Sequence, residues 1–213
     1  MSFFYRIASV VFFVVYKLFY RNRAEWETDP REIKGGAIIA PNHVSYLDPQ
    51  LVSGSWSGDL TFFAGSRLFR KPVLGLILRM LHCHPVEKGN ELATIRAAVK
   101  LLKGGKKIVL FPEGTRSENG TLQPFRSGVA FLALQSRCPV IPCYVGGSYQ
   151  AWPKSRKWPR LFGVRTFCRF GRPIWPFDES GAPLTKEALN RQLYEAISRL
   201  AEGGKSSWID HDS

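Results

Sequence analysis

"AIIAPNHVSYLDP", residues 37–49, joins an apolar run to a polar turn and then to an Asp-Pro pair. The run at 37–41 carries no charge and reads as a buried strand. Proline pushes the residue before it out of the α region and is itself favoured at the first helical position. Asp48 is therefore expected to cap a helix that starts at Pro49. Residues 42–47 are then a turn off the end of the strand.

The same alternation recurs along the chain. "LTFFAG" (60–65), "KIVLFPEG" (107–114), "VIPCYVGG" (140–147) and "VRTFCRFGRPI" (164–174) read as strands. "QLVSGSW" (50–56), "VLGLILRML" (73–81), "ELATIRAAVKLLKGG" (91–105) and "SGVAFLALQS" (127–136) read as helices. In a fifth helix, "TKEALNRQLYEAISRLAE" (185–202), Leu189, Leu193, Ile197 and Leu200 share one face. In 91–105, Leu92, Ile95, Ala98, Val99 and Leu102 do so, with Asn90 as cap and Gly104 as stop. The expected fold is α/β, a largely parallel central sheet flanked by helices, preceded by an N-terminal membrane-associated helix. In such folds the functional loops gather at the carboxyl ends of the strands.

The chain has 213 residues, 45% of them hydrophobic, enough for one domain with a full core. The expected division is an anchoring helix at 1–22, a catalytic domain at 23–203 opening on a basic linker (21–35), and a flexible tail at 204–213. Thirty Lys and Arg against seventeen Asp and Glu give a net charge of +13, which favours an anionic partner. No nucleic-acid motif is present and the cations are spread along the chain, so nucleic acid is the remote alternative. The four cysteines are scattered without C-x-x-C spacing, and in "HCH" (82–84) a strand would point the two histidines away from Cys83, so no metal is expected.

Between Arg6 and Lys17 lie ten residues that are almost all apolar. As a helix they cover about 15 Å, half of a bilayer core of about 30 Å. They are expected to lie in one leaflet, with Tyr5, Tyr16 and Tyr20 at the interface and the flanking cations on anionic headgroups. The loose segment at 150–160 is rich in Trp, Pro, Lys and Arg.

Two constellations carry chemistry. On one continuous helix His43 and Asp48 would be turned roughly 140° apart, but the turn before Pro49 can fold the imidazole back onto the carboxylate. A histidine held by a carboxylate is a general base, and without a nucleophilic serine or cysteine in a recognisable setting the group it activates is a substrate hydroxyl. The second constellation is "FPEGTRS" (111–117), in which the amides of the Gly114 turn, the Thr115 hydroxyl and the Arg116 guanidinium can cradle a phosphate. Arg126 adds a cation beside a helix start. Glu113 either orients Arg116 or holds the loop through backbone amides.

Together these motifs resemble the glycerolipid acyltransferase family, in particular its 1-acylglycerol-3-phosphate acyltransferases. "NHVSYLD" is similar to the family's N-H-x-x-x-x-D block, "FPEGTRS" to its third block and "PVIPCYV" (139–145) to its fourth. "AGSRLFRKPVLG" (64–75) and "HCHPVEKGN" (82–90) resemble the stretch around its second block, with Lys88 where the family has arginine. The resemblance spans about residues 36–175. It implies transfer of an acyl group from acyl-CoA or acyl carrier protein to the sn-2 hydroxyl of lysophosphatidic acid at a membrane phospholipid surface. It implies further that His43 is the base, Asp48 its partner, Arg116 and Lys88 phosphate ligands, and Glu113 and Gly114 shapers of the pocket, with no cofactor. Glycerol 3-phosphate or another lysophospholipid is the alternative acceptor. The enzyme is expected to be monotopic or peripheral, its active site on the cytoplasmic face.

Overall fold

The computed structural model describes residues 18–70, 75, 78–79, 83–86, 89, 91–203 and 209–210. Among these, eight strands form one sheet: β1 (Arg23–Trp26), β2 (Ala37–Pro41), β3 (Leu60–Gly65), β4 (Cys83–Val86), β5 (Lys107–Val109), β6 (Val140–Gly146), β7 (Phe167–Phe170) and β8 (Ile209–Asp210), in the order β4-β3-β5-β2-β6-β7-β1-β8. The block β4-β3-β5-β2-β6 is parallel throughout. Strand β7 runs antiparallel to β6, and β1 follows β7 in parallel. The largely parallel sheet expected from the alternation is therefore present.

Helices cover both faces: α1 (Asp48–Ser55), the short α2 (Ser66–Phe69), α3 (Glu91–Lys103), α4 (Gly128–Ser136), the short α5 (Ser148–Ala151) and α6 (Lys186–Glu202). All five residues of β2 are buried, because side chains that alternate across a central strand meet a helix layer on each side. Ile38 and Ala40 pack with Ala98 and Leu102 of α3, Ala130 and Ala133 of α4, and Leu189, Leu193 and Ile197 of α6. Ala37 and Ile39 pack on the other face with Leu51 and Val52 of α1 and with Trp26, Trp56 and Phe170. The predicted face of α6 is buried at all four positions, Leu200 included. The predicted face of α3 needs one correction. Leu92 is 69% exposed, since α3 is fully buried only at Ala98 and Leu102, in its second half.

Two further expectations change. Within the supposed linker at 21–35, Arg23–Trp26 forms β1, paired with β7. Trp26 explains this: its ring is buried, stacked on Phe170 at 3.9 Å and tilted against Trp56 at 5.0 Å. In the supposed tail, Ile209–Asp210 pairs antiparallel with Glu25 and Trp26, since the open backbone edge of β1 accepts a strand. Residues 18–20 are helical. The rest of the predicted amino-terminal helix, the cap Asn90 and most of the predicted helix at 73–81 lie outside the described residues. No helix among the described residues is long and apolar enough to cross a membrane.

Candidate active site

β5, β2 and β6 are neighbours in the sheet, and their carboxyl ends deliver three loops to one place. The loop after β2 brings His43, the loop after β5 brings residues 111–117, and the loop after β6 brings Ser148. Asn42 ties β2 to β6 at this edge. Its side-chain amide accepts from the Val145 N–H at 2.6 Å and donates to the Val145 carbonyl at 3.2 Å, substituting for one more rung of the ladder.

Asp48 is fully buried, and an unpaired buried carboxylate would cost several kcal/mol. Four donors offset this. Oδ2 accepts from His43 Nδ1 at 2.9 Å and from the amides of Val44 and Ser45, each at 2.7 Å. Oδ1 accepts from Ser148 Oγ at 2.6 Å. Asp48 is thus not the cap expected from sequence. It is the first residue of α1 and makes no bond to the helix amides; its side chain turns back to order the turn that carries His43. Ser148 reaches it because Gly147, at φ +76°, passes against the Arg165 carbonyl where any Cβ would collide. With Nδ1–H donating to Asp48, the second ring nitrogen, Nε2, carries the free lone pair of a general base.

Glu113 holds the first two loops together. Its Oε1 accepts the His43 amide at 2.6 Å and its Oε2 the Gln123 amide at 3.0 Å, and the Ser117 amide donates to the His43 carbonyl at 2.8 Å. Of the two roles considered for Glu113, loop holding through amides is the one these bonds describe. Burial pushes its carboxyl from the ordinary 4.5 up to about 7; the two amide bonds oppose the rise and the charge of Asp48 adds to it. A carboxyl whose pKa rises on folding binds its proton more tightly in the folded chain. Its contribution to stability is therefore fullest below about 4.5 and is lost as the pH rises through about 7. Glu113→Gln is expected to flatten that part of the curve. Thermal midpoints of the two proteins measured from pH 4 to pH 8 should converge on one side of this window and separate across it; parallel curves would refute the assignment.

Arg116, on the second loop, also packs against the first. Its guanidinium lies 3.6 Å above the Tyr46 ring, and its buried Nη1 has no hydrogen-bond partner. A desolvated cationic donor left open in this way suits an anion. Arg116 and Thr115 line a polar cavity of about 530 Å³ with Ser117, Gln123 and Lys154. Gly114 adopts φ +70°, and the Arg126 side chain lies against it, where a Cβ would come within 2.8 Å of Cδ. Thr115, Arg116 and Arg126 thus gather around one turn. Lys88 lies outside the described residues.

A family model described as acyltransferase matches residues 19–146, which include His43, Asp48 and the 113–116 turn. The chain belongs to the acyltransferase family. It is 33% identical over 135 residues to a 1-acyl-sn-glycerol-3-phosphate acyltransferase of Limnanthes alba, covering 59% of this chain and 48% of that one. A Bacillus subtilis protein of the same name is 28% identical, with 78% and 83% covered. The chain spans about half the length of several curated relatives it matches. The crystal structure of the 1-acyl-sn-glycerophosphate acyltransferase of Thermotoga maritima superposes with a TM-score of 0.73 at 24% identity, over 95% of this chain and 82% of that one. That likeness shows a common fold.

This acyltransferase has a second cavity close to His43, which the sequence pattern does not reveal. The Phe111 ring stacks on the His43 imidazole at 3.9 Å between centroids and 23° between planes. Phe111 is also a wall of an apolar cavity of about 210 Å³, completed by Pro49, Phe62, Phe63, Ala64, Leu68, Leu78 and Cys83 among others. Burial there pushes the Cys83 thiol up to about 11, which leaves it inert as a nucleophile.

Proposed function

We propose that this chain transfers an acyl group from a thioester of CoA or of acyl carrier protein to the sn-2 hydroxyl of 1-acylglycerol 3-phosphate, giving phosphatidic acid. The observation that carries the reading is the position of His43. A carboxylate-oriented imidazole is stacked on Phe111, a wall of an apolar cavity, and the turn that begins at Phe111 carries Arg116, which lines a polar cavity. An acyl chain fits the first cavity and a substrate phosphate the second.

In this mechanism Nε2 of His43 takes the proton of the acceptor hydroxyl as its oxygen attacks the thioester carbonyl carbon. Asp48 stabilises the imidazolium that forms. The tetrahedral intermediate collapses by breaking the C–S bond, and the imidazolium returns the proton to the departing sulfur. The ester and a free thiol result, with no change of oxidation state. The Glu113 clamp fixes the His43 backbone, and the Asp48–Ser148 bond fixes the carboxylate. Geometry held in this way supplies much of what a base contributes.

Purified protein given lysophosphatidic acid and an acyl thioester is expected to release one thiol for each diacyl product formed. Thiol release without the diacyl product would indicate hydrolysis. A preference for glycerol 3-phosphate over lysophosphatidic acid would move the reading to the alternative acceptor.

A further inference from the structure

We infer that the loop from Trp152 to Arg165, together with the chain entry at Leu18 and Phe19, forms a docking face for an anionic phospholipid bilayer, separate from any anchoring by residues 1–17. Three large apolar side chains of this loop face solvent: Trp158 is 72% exposed, Phe162 69% and Leu161 46%. Five exposed cations are interleaved with them, namely Lys154, Arg156, Lys157, Arg160 and Arg165, and no acidic residue lies between 152 and 166. Only Lys154 of the five has an ion-pair partner among the described residues, in Glu118. Soluble surfaces rarely hold such apolar groups out together, whereas aromatic rings among lysines and arginines suit the headgroup layer.

The loop keeps its shape without help from its exposed side chains. Trp152 Nε1 donates to the Arg156 carbonyl at 3.1 Å, the Arg160 amide to the Ala151 carbonyl at 2.8 Å, and Pro153 bridges to Ser45. The apolar tip is therefore not spent on packing the loop. It is continuous with the amino-terminal entry: the Phe162 and Phe19 rings lie 5.4 Å apart, and Leu18 is 73% exposed. The largely apolar sequence at 7–16 precedes that point in the chain, which favours a lipid surface over a soluble acidic partner. The root of the loop touches the catalytic turn, since the Tyr46 amide donates to the Trp152 carbonyl at 3.3 Å. Docking here would bring the bilayer up to the active site.

The test uses the full chain with vesicles of phosphatidylcholine alone or mixed with phosphatidylglycerol. At about fivefold per cation, Lys157→Gln/Arg160→Gln/Arg165→Gln is expected to weaken partition onto the anionic vesicles about a hundredfold and to change partition onto neutral ones little. Lipids brominated on their acyl chains should quench tryptophan emission of the bound parent, with a large part of that quenching absent from Trp158→Phe. Turnover on lysolipid kept below its micellar concentration should stay as in the parent for both variants. Equal quenching of the parent and Trp158→Phe at full binding overturns the inference. So does unaltered anionic partition of the triple variant, or a triple variant that loses affinity for an acidic carrier protein and not for vesicles. The vesicle measurements need no turnover, so their failure is distinct from failure of the acyl-transfer reading.

Discussion

His43→Ala is expected to lower the rate of acyl transfer by about 10²- to 10⁴-fold, the range for loss of a positioned general base, while the chain stays folded. The imidazole is only partly buried, and its removal leaves Asp48 bonded to the amides of Val44 and Ser45 and to the Ser148 hydroxyl. The carboxylate therefore stays satisfied and the turn keeps its order. Asp48→Ala is a poorer test, because it strips three buried donors of their acceptor and mixes folding with chemistry. Single-turnover rates with the circular dichroism spectrum of His43→Ala separate the two. A folded variant with near-parental turnover would remove His43 from the mechanism.

The central sheet was legible because its pattern is dictated locally. "AIIAP" and "VIPCYVGG" are apolar throughout because their strands are covered on both faces, and α6 repeats leucine and isoleucine at helical spacing. The pairing of His43 with Asp48 was legible for a similar reason, since Pro49 limits what the intervening turn can do. β1 was not legible: "RAEW" is polar by composition and becomes a strand only because distant Trp56 and Phe170 bury Trp26. The same holds for the partners that complete the site. Ser148 lies 100 residues from the carboxylate it touches, and nothing in its neighbourhood marks it beyond the glycine pair before it. Phe111 reads as one more apolar residue at the end of a strand, and its dual place against His43 and the apolar cavity exists only once β5 lies beside β2. The role of Asp48 differed from expectation because a cap and a backward-turned carboxylate share the same Asp-Pro signature. Which amides the oxygens reach depends on the turn.

Arg116→Ala is expected to penalise a phosphate-bearing acceptor far more than a neutral one. The guanidinium has a fixed position over Tyr46 and an open buried donor, and a charge-assisted hydrogen bond is worth about 1.5 to 3 kcal/mol. Its loss should therefore cost about 10- to 150-fold in kcat/KM on lysophosphatidic acid at 1.36 kcal/mol per decade. The phosphate takes no part in bond making or breaking and is held alike in the ground and transition states, so KM should rise more than kcat falls. On a monoacylglycerol acceptor, which has no phosphate, the same substitution should cost little. The comparison also isolates the structural part of Arg116, since losing its contact with Tyr46 would disturb the loop after β2 whichever acceptor is bound. Arg116→Lys serves as the intermediate case: the charge remains and the planar fork does not, so it should recover part of the affinity on lysophosphatidic acid. Equal losses on the two acceptors would assign Arg116 to loop support or to the acyl donor and would leave the polar cavity without its anion ligand.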